Sequence, residues 1–177
     1  MLWPKLARRL VSKPLTDAAP VAPDAVVQAL AARLEATARA RLGRSLSIRE
    51  VDAGSCNGCE LEVNAMAGVL YDMERFGLRI VASPRHADVL LVTGPVTRNM
   101  REALERTRAC TPEPCWVVAA GDCAADGGVF KGGYAVDLVI PGCPPTPLQL
   151  LEGLLSLLEA QDAPKPAPAG AATEPTG

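Results

Sequence analysis

Residues 87–121, ADVLLVTGPVTRNMREALERTRACTPEPCWVVAAG, decide the architecture. ADVLLVTG (87–94) is an unbroken apolar run of strand length. A strand with one wet face would alternate polar and apolar residues, so a run like this expects cover on both sides, as parallel strands have. VTRNMREALERTRA (96–109) changes to a helical period, with Met100, Leu104 and Thr107 on one side. WVVAAG (116–121) returns to strand. Strand, amphipathic helix and strand in that order make a crossover between parallel neighbours.

The same alternation continues in both directions. SLSIREV (45–51) is a short strand carrying Leu46, Ile48 and Val51, and ELEVNAMAGVLYDMERFG (60–77) reads as a helix. LRIVA (78–82) and DLVIPG (137–142) are further strands, and TPLQLLEGLLSLLEA (146–160) is a closing helix that Pro147 can open in its first turn. Upstream, Asp24 is an N-cap for a helix with Val26 or Val27, Leu30, Leu34 and Ala38 as its apolar stripe; Arg39 and Arg41 lie in the last turn and Gly43 ends it. The expected fold is α/β, a flavodoxin-like doubly wound parallel sheet with an N-terminal helical extension and a disordered C-terminal tail. The expected divisions are a basic amphipathic segment and linker (1–23), an N-terminal helix (24–45), the flavodoxin-like domain (46–160) and a Pro/Ala-rich tail (161–177).

Composition narrows the function. Hydrophobic residues make up 49% of the 177 and aromatics only 3%, so Leu, Val, Ile and Ala must build the core. A net charge of -2 gives no general attraction to nucleic acid. No run approaches the roughly 20 apolar residues of a membrane span. The start, MLWPKLARRLVSKP, places Leu2, Leu6 and Leu10 on one face of a short basic segment, a pattern suited either to docking on a membrane surface or a membrane protein or to a frayed terminus. Arg8-Arg9 is not followed by the apolar stretch and small-residue cleavage site of an export signal, so the expectation is cytoplasmic. Six cysteines in a cytoplasmic chain point to metal or redox chemistry rather than a disulfide scaffold.

Ligands of open α/β sheets bind beyond the carboxyl ends of the strands. Cys56 and Cys59 follow strand 45–51, Cys123 follows strand 116–121, and Cys143 follows strand 137–141, so all four are expected on loops at one edge. Cys110 and Cys115 sit between a helix and the start of a strand and are expected at the opposite edge, as packing residues. Four thiolates are what a [4Fe–4S] cluster takes. The Cys56-Asn-Gly-Cys59 spacer lets both sulfurs reach one centre, Gly54 and Gly58 allow close backbone approach, and a helix beginning near Glu60 aims N–H groups at an anionic group. Cys143 is followed by Pro144 and Pro145, a Cys-Pro step that recurs at ferredoxin cluster ligands. Structural zinc and a redox dithiol remain alternatives from spacing alone. Lys131 lies in GGVFKGG, which lacks the order of a phosphate-binding loop.

At these residues the chain resembles a known family. DAGSCNGCELEV (52–63), SPRHADVLLVTGPVTRNM (83–100), GDCAADGGVF (121–130) and IPGCPPTPLQLLEGL (140–154) are similar to the [NiFe]-hydrogenase small subunits and the cluster-bearing 20-kDa subunit of complex I, the NADH-quinone oxidoreductase. The likeness runs over about residues 46–158 and is strongest to membrane-bound, energy-converting hydrogenases of the formate hydrogenlyase type, whose CxxC spacing CNGC shares. It implies one [4Fe–4S] cluster on Cys56, Cys59, Cys123 and Cys143, passing electrons between a large catalytic hydrogenase-like (or 49-kDa-like) subunit and a ferredoxin-like iron–sulfur subunit. It also implies membrane subunits as partners and a peripheral place on the inner face of the cytoplasmic membrane. Glu62 matches an acidic position beside the complex I cluster and is a candidate proton carrier; the bland reading is a first-turn acid favouring the helix dipole. Arg85 is a candidate to pair with the cluster or with the partner, while His86 beside it reads as a loop residue. The stretch after Gly128, VFKGGYAVDLV, is shorter than in relatives, which leaves the identity of the partner open.

Overall fold

The computed structural model describes residues 25–160. The basic segment and linker expected over 1–23, the Asp24 cap and the tail expected over 161–177 lie outside the described residues.

One sheet holds β1 (Leu46–Asp52), β2 (Leu78–Ile80), β3 (Val89–Thr93), β4 (Trp116–Ala120) and β5 (Leu138–Ile140). The order is β2-β1-β3-β4-β5 and every pairing is parallel, which is the expected doubly wound arrangement. The register is what positions the site. Asp52 pairs with Thr93, Thr93 with Ala120, and Ala120 with Ile140, so four strands finish level and their outgoing loops start from one line.

The helices are α1 (Ala25–Leu42), α2 (Gly58–Ala67), α3 (Arg98–Ala109), α4 (Asp122–Asp126) and α5 (Pro147–Glu159). All five residues of β3 are buried, as its continuous apolar run requires. On one face Leu46, Ile48, Leu91 and Val118 pack against Leu34 of α1, Met66 of α2 and Leu150 and Leu154 of α5. On the other, Leu90, Val92 and Val117 pack against Leu104, with Tyr134 and Val136 alongside. Leu104 is the buried residue of α3, so that helix is held to the sheet chiefly by one leucine. Helix α5 opens as read from the sequence, with Pro147 in its first turn and a reciprocal cap between Thr146 and Gln149. At the amino ends of the strands, Arg44 clasps buried Asp88 with bonds of 2.7 and 2.6 Å, and Asp88 also accepts the Ser47 N–H.

Two elements differ from expectation. The helix expected over 60–77 starts earlier and stops sooner: α2 begins at Gly58 and ends at Ala67. Gly68 leaves in an extended conformation, its N–H closing back on Ala65, and Met73–Phe76 form a separate tight turn. The apolar pattern continues because Met73 returns to the core, while Val69 between them is 90% exposed. The second difference is α4, a short helix directly after β4 that five small and acidic residues did not announce.

The face covered by α1, α2 and α5 is polar at two acids. Glu50 follows Leu46 and Ile48 on the same side of β1, and Glu60 of α2 is buried at 9% exposure. Glu50 Oε1 and both Glu60 carboxylate oxygens find no hydrogen-bond donor among the described residues. Burial first, then the charges of Glu60 and Asp52, push Glu50 up to about 7, against a small opposing effect of Arg49.

This packing sets two expectations. Leu104→Ala is expected to lower the stability of the metal-free chain by ~3 kcal/mol in urea unfolding, and exposed Glu105→Ala by less than ~0.5 kcal/mol; equal effects would contradict the role given to Leu104. Glu50 is held above its ordinary value of 4.5, so the fold favours its neutral form and loses stability as pH rises from there through about 7. Glu50→Gln is therefore expected to be more stable than the parent at pH 8 and indistinguishable from it near pH 4, read as urea midpoints; a gap that does not change with pH would contradict this.

Candidate functional site

Three of the loops that leave the level carboxyl edge of the sheet carry cysteines, and each is turned by a short-range hydrogen bond to a carboxylate or a cap. After β1, Asp52 accepts the N–H groups of Gly54 and Ser55, both at 2.8 Å, and Ser55 Oγ accepts the Asn57 N–H. Those bonds, Ser55 first and Gly54 with it, hold the Asp52 carboxyl below its usual range despite partial burial. Asn57, at φ 71, then swings the chain into α2. Cys56 thus sits on the turn and Cys59 in the first turn of α2. After β4, Gly121 leads straight into α4, which carries Cys123, and Asp126 accepts the Gly128 N–H at 2.7 Å. After β5, Gly142 and Cys143 precede Pro144, Pro145 and the Thr146 cap of α5.

These loops bring the four cysteines into one neighbourhood. A Cβ on Gly121 would stand 2.8 Å from Cys59 Sγ and 3.2 Å from the Gly142 carbonyl oxygen, so only glycine lets the second thiol settle between the β4 and β5 loops. A Cβ on Gly58 would lie 3.5 Å from Cys56 Sγ and 3.9 Å from Pro144, and one on Gly128 would lie 3.1 Å from Cys123 Sγ. The thiols also feel one another. Burial, then Glu60, then Cys56, Cys143 and Cys123 push Cys59 up to about 11. Cys123 is raised by burial, Cys143, Asp126, Cys56 and Asp122 in that order. Cys56 and Cys143 are exposed at the rim, with Cys59 and Cys123 half-buried. Among the described residues, no three His, Cys, Asp or Glu side chains stand at the spacing of a single-ion site.

The remaining candidates separate. Cys115 precedes β4 at the opposite edge and is buried, its thiol pushed up to about 11 by that burial. Cys110 also lies away from the four, but it is exposed rather than packed. Glu62 is half-buried on α2, three residues past Cys59, while its neighbour Glu60 is the acid that turns inward. Arg85 and His86 are exposed in the turn Pro84–His86 that enters β3 from its amino end, so the structure does not bring Arg85 to the cysteines. Glu50 was missed as a site neighbour by sequence reasoning. Its signal was present in SLSIREV, where alternation puts it on the face of Leu46 and Ile48.

Known proteins share this chain's sequence and fold over the region of the cysteine loops. Residues 56–157 match the family described as NADH ubiquinone oxidoreductase, 20 Kd subunit. Formate hydrogenlyase subunit 7 of Escherichia coli is 43% identical over 72% of this chain, and the chain spans 55% of that protein's length. The probable membrane-bound hydrogenase subunit mbhJ of Pyrococcus furiosus is 44% identical over 67% of this chain and 77% of its own. A subunit of the NADH-quinone oxidoreductase of Clostridium beijerinckii is 42% identical over 60% of this chain and 70% of its own. Among solved structures, a chain of the membrane-bound sulfane sulfur reductase (MBS), an archaeal respiratory membrane complex, superposes with a TM-score of 0.57 at 33% identity, covering 72% of this chain and 74% of that one. The match spans the cysteine loops and most of the sheet that aligns them, and the chain belongs to the 20-kDa subunit family of NADH:ubiquinone oxidoreductase, whose members are subunits of oxidoreductase complexes.

Proposed function

We propose that this chain is an electron-transfer subunit of a membrane-associated, hydrogenase-type complex, and that Cys56, Cys59, Cys123 and Cys143 hold one [4Fe–4S] cluster. The observation that carries the reading is the convergence of these four of the six cysteines on one sheet edge, with bare glycine backbone against three of the sulfurs. The donor set fits the group: four thiols suit four irons, and the close glycine approaches leave room for sulfide that a Cβ would fill. When bound, such a cluster supplies one-electron transfer without bond chemistry on the chain.

The chain's own residues then have defined tasks. Asp52 and Asp126 set the turns that present Cys56 and Cys123. The ten-residue helix α2 directs its amino end at the Cys56–Cys59 turn, where its dipole favours an anionic group. Cys59 and Cys123 are thiols held in the protonated form, so loading the site releases protons. Glu62, half-buried on the same helix, is in this reading the proton carrier that the family resemblance implies, and Arg85, at the far edge, is left to a partner rather than to the cluster.

The rim of the site supports a covering partner. Leu61 is 60% exposed beside the CxxC turn, and Val129 and Phe130 are 87% and 65% exposed just past the Cys123 loop. Apolar side chains gathered around a redox group are the mark of a docking face. The occupant in this reading is the large catalytic subunit, with a ferredoxin-like iron–sulfur subunit as the onward electron carrier. Among the described residues no helix is long and apolar enough to cross a membrane. The relatives named for membrane-bound complexes support attachment through membrane subunits, on the inner face of the cytoplasmic membrane. The likeness to a subunit of an NADH-quinone oxidoreductase supports a second reading in which the electrons go to quinone.

Anaerobic purification of the full chain tests the reading through iron, sulfide and zinc analysis and EPR after dithionite. About four irons and four sulfides per chain with a reduced-cluster signal are expected. One zinc per chain, no sulfide and no signal after reconstitution would overturn it and leave a structural metal module.

A further inference from the structure

Cys123 and Cys143 stand on different strands' loops, twenty residues apart in sequence, and the parallel ladder that joins β4 to β5 ends just before them. Its last rung is the Gly121 N–H to the Ile140 carbonyl at 2.8 Å. Beyond that rung the two loops are joined by a reciprocal pair. The Asp122 N–H donates to the Gly142 carbonyl at 2.9 Å, and the Gly142 N–H donates back to Asp122 Oδ1 at 2.8 Å. The second bond needs a side-chain acceptor, because the chain has already turned into α4 and its own carbonyls point elsewhere into the helix and turn. Gly142 is a position that a side chain could not fill. It sits at φ +139, and a Cβ there would stand 2.7 Å from Pro145 Cα. Cys123 follows Asp122 directly and Cys143 follows Gly142 directly, so the paired residues are the immediate chain neighbours of two of the four thiols.

We propose that Asp122 is a positioning residue that fixes the separation and orientation of the Cys123 and Cys143 loops for their shared cluster. This rests on the cluster reading above. Without the side-chain bond only the Asp122 N–H joins the loops beyond the last rung, whereas the opposed second bond ties the same two residues in both directions. The carboxylate is exposed, so it is not needed to fill the core. Its task is the acceptor oxygen, and an amide oxygen can do the same.

The test compares the reconstituted full chain with Asp122→Asn, Asp122→Ala and Asp122→Glu. Its readouts are iron and sulfide content, the EPR spectrum of the reduced form, iron release to a chelator, and the urea midpoint of the metal-free chain. Asp122→Asn keeps an acceptor and is expected to release iron within about twofold of the parent, and Asp122→Ala about tenfold faster, the scale on which supports behind a metal ligand act. Asp122→Glu moves the acceptor outward by one methylene and is expected to load fully with a shifted EPR spectrum. The metal-free Ala chain is expected to keep a urea midpoint close to the parent's. Parent-like release from Ala, with EPR spectra from Ala and Glu superimposable on the parent's, would overturn the proposal. So would an Ala defect matched by an equal loss of stability in the metal-free chain, which marks an ordinary loop brace. A parent chain that takes up no iron and sulfide fails differently: it removes the cluster reading and, with it, the role of Asp122.

Discussion

The level finish of the strands is the constraint on which the rest depends. In a parallel sheet every outgoing loop emerges at the same edge, and here Asp52, Thr93, Ala120 and Ile140 are paired across one line. That pairing is held by burial of β3 on both faces, with its continuous run Val89–Thr93 as the central strand. Residues far apart in the chain, sharing no local motif, are thereby brought to adjoining loops. The cysteines need only small, specific turns to complete the approach; short-range carboxylate bonds at Asp52 and Asp126 shape two of those turns, and the Asp122 carboxylate reaches across to the Gly142 N–H of the neighbouring loop.

Conflict between packing and function is concentrated beside the same edge. The face of the sheet covered by α1, α2 and α5 is apolar along Leu46 and Ile48 and then meets Glu50, whose largest charged influence is Glu60 on α2. Glu50 costs stability as pH rises through about 7, and a core selected for stability alone would not keep it there. Glu50 and Glu60 lie on the elements that carry the Cys56–Cys59 turn, so the unpartnered carboxylate oxygens of the fold stand beside the cysteine loops. The opposite edge has the reverse character. There Arg44 pairs with Asp88, Asp88 also accepts a backbone N–H, and Cys115 is packed.

Much of this was legible in the sequence because the relevant signals are long-period ones. The unbroken run 87–94, the amphipathic helix after it and the return to strand at 116 specify parallel crossovers, and parallel crossovers specify which cysteines share an edge. Glycine and proline near the cysteines marked the close turns. What escaped was local. The end of α2 at Ala67 depends on Gly68 leaving in an extended conformation while Met73 keeps the apolar pattern alive through a separate turn, so periodicity alone overran it. The short α4 carries too few residues to show a period. Exposure of Cys110 and burial of Glu60 are decided by tertiary neighbours that no spacing encodes. Arg85 was a candidate as a cation that could pair with an anionic cluster or with the partner, yet it lies in the turn that enters β3 from the edge away from the thiols.

If topology selects four of the six cysteines for one cluster, six single Cys→Ser variants of the full chain must divide into two groups. Each would be purified anaerobically and compared by iron content and by the EPR spectrum of the reduced form. Cys56→Ser, Cys59→Ser, Cys123→Ser and Cys143→Ser are each expected to lose or alter the cluster signal, and Cys110→Ser and Cys115→Ser to keep the parent's iron and spectrum. A cluster that survives unchanged at any of the four, or is lost with Cys110 or Cys115 while the chain stays folded, would contradict that selection.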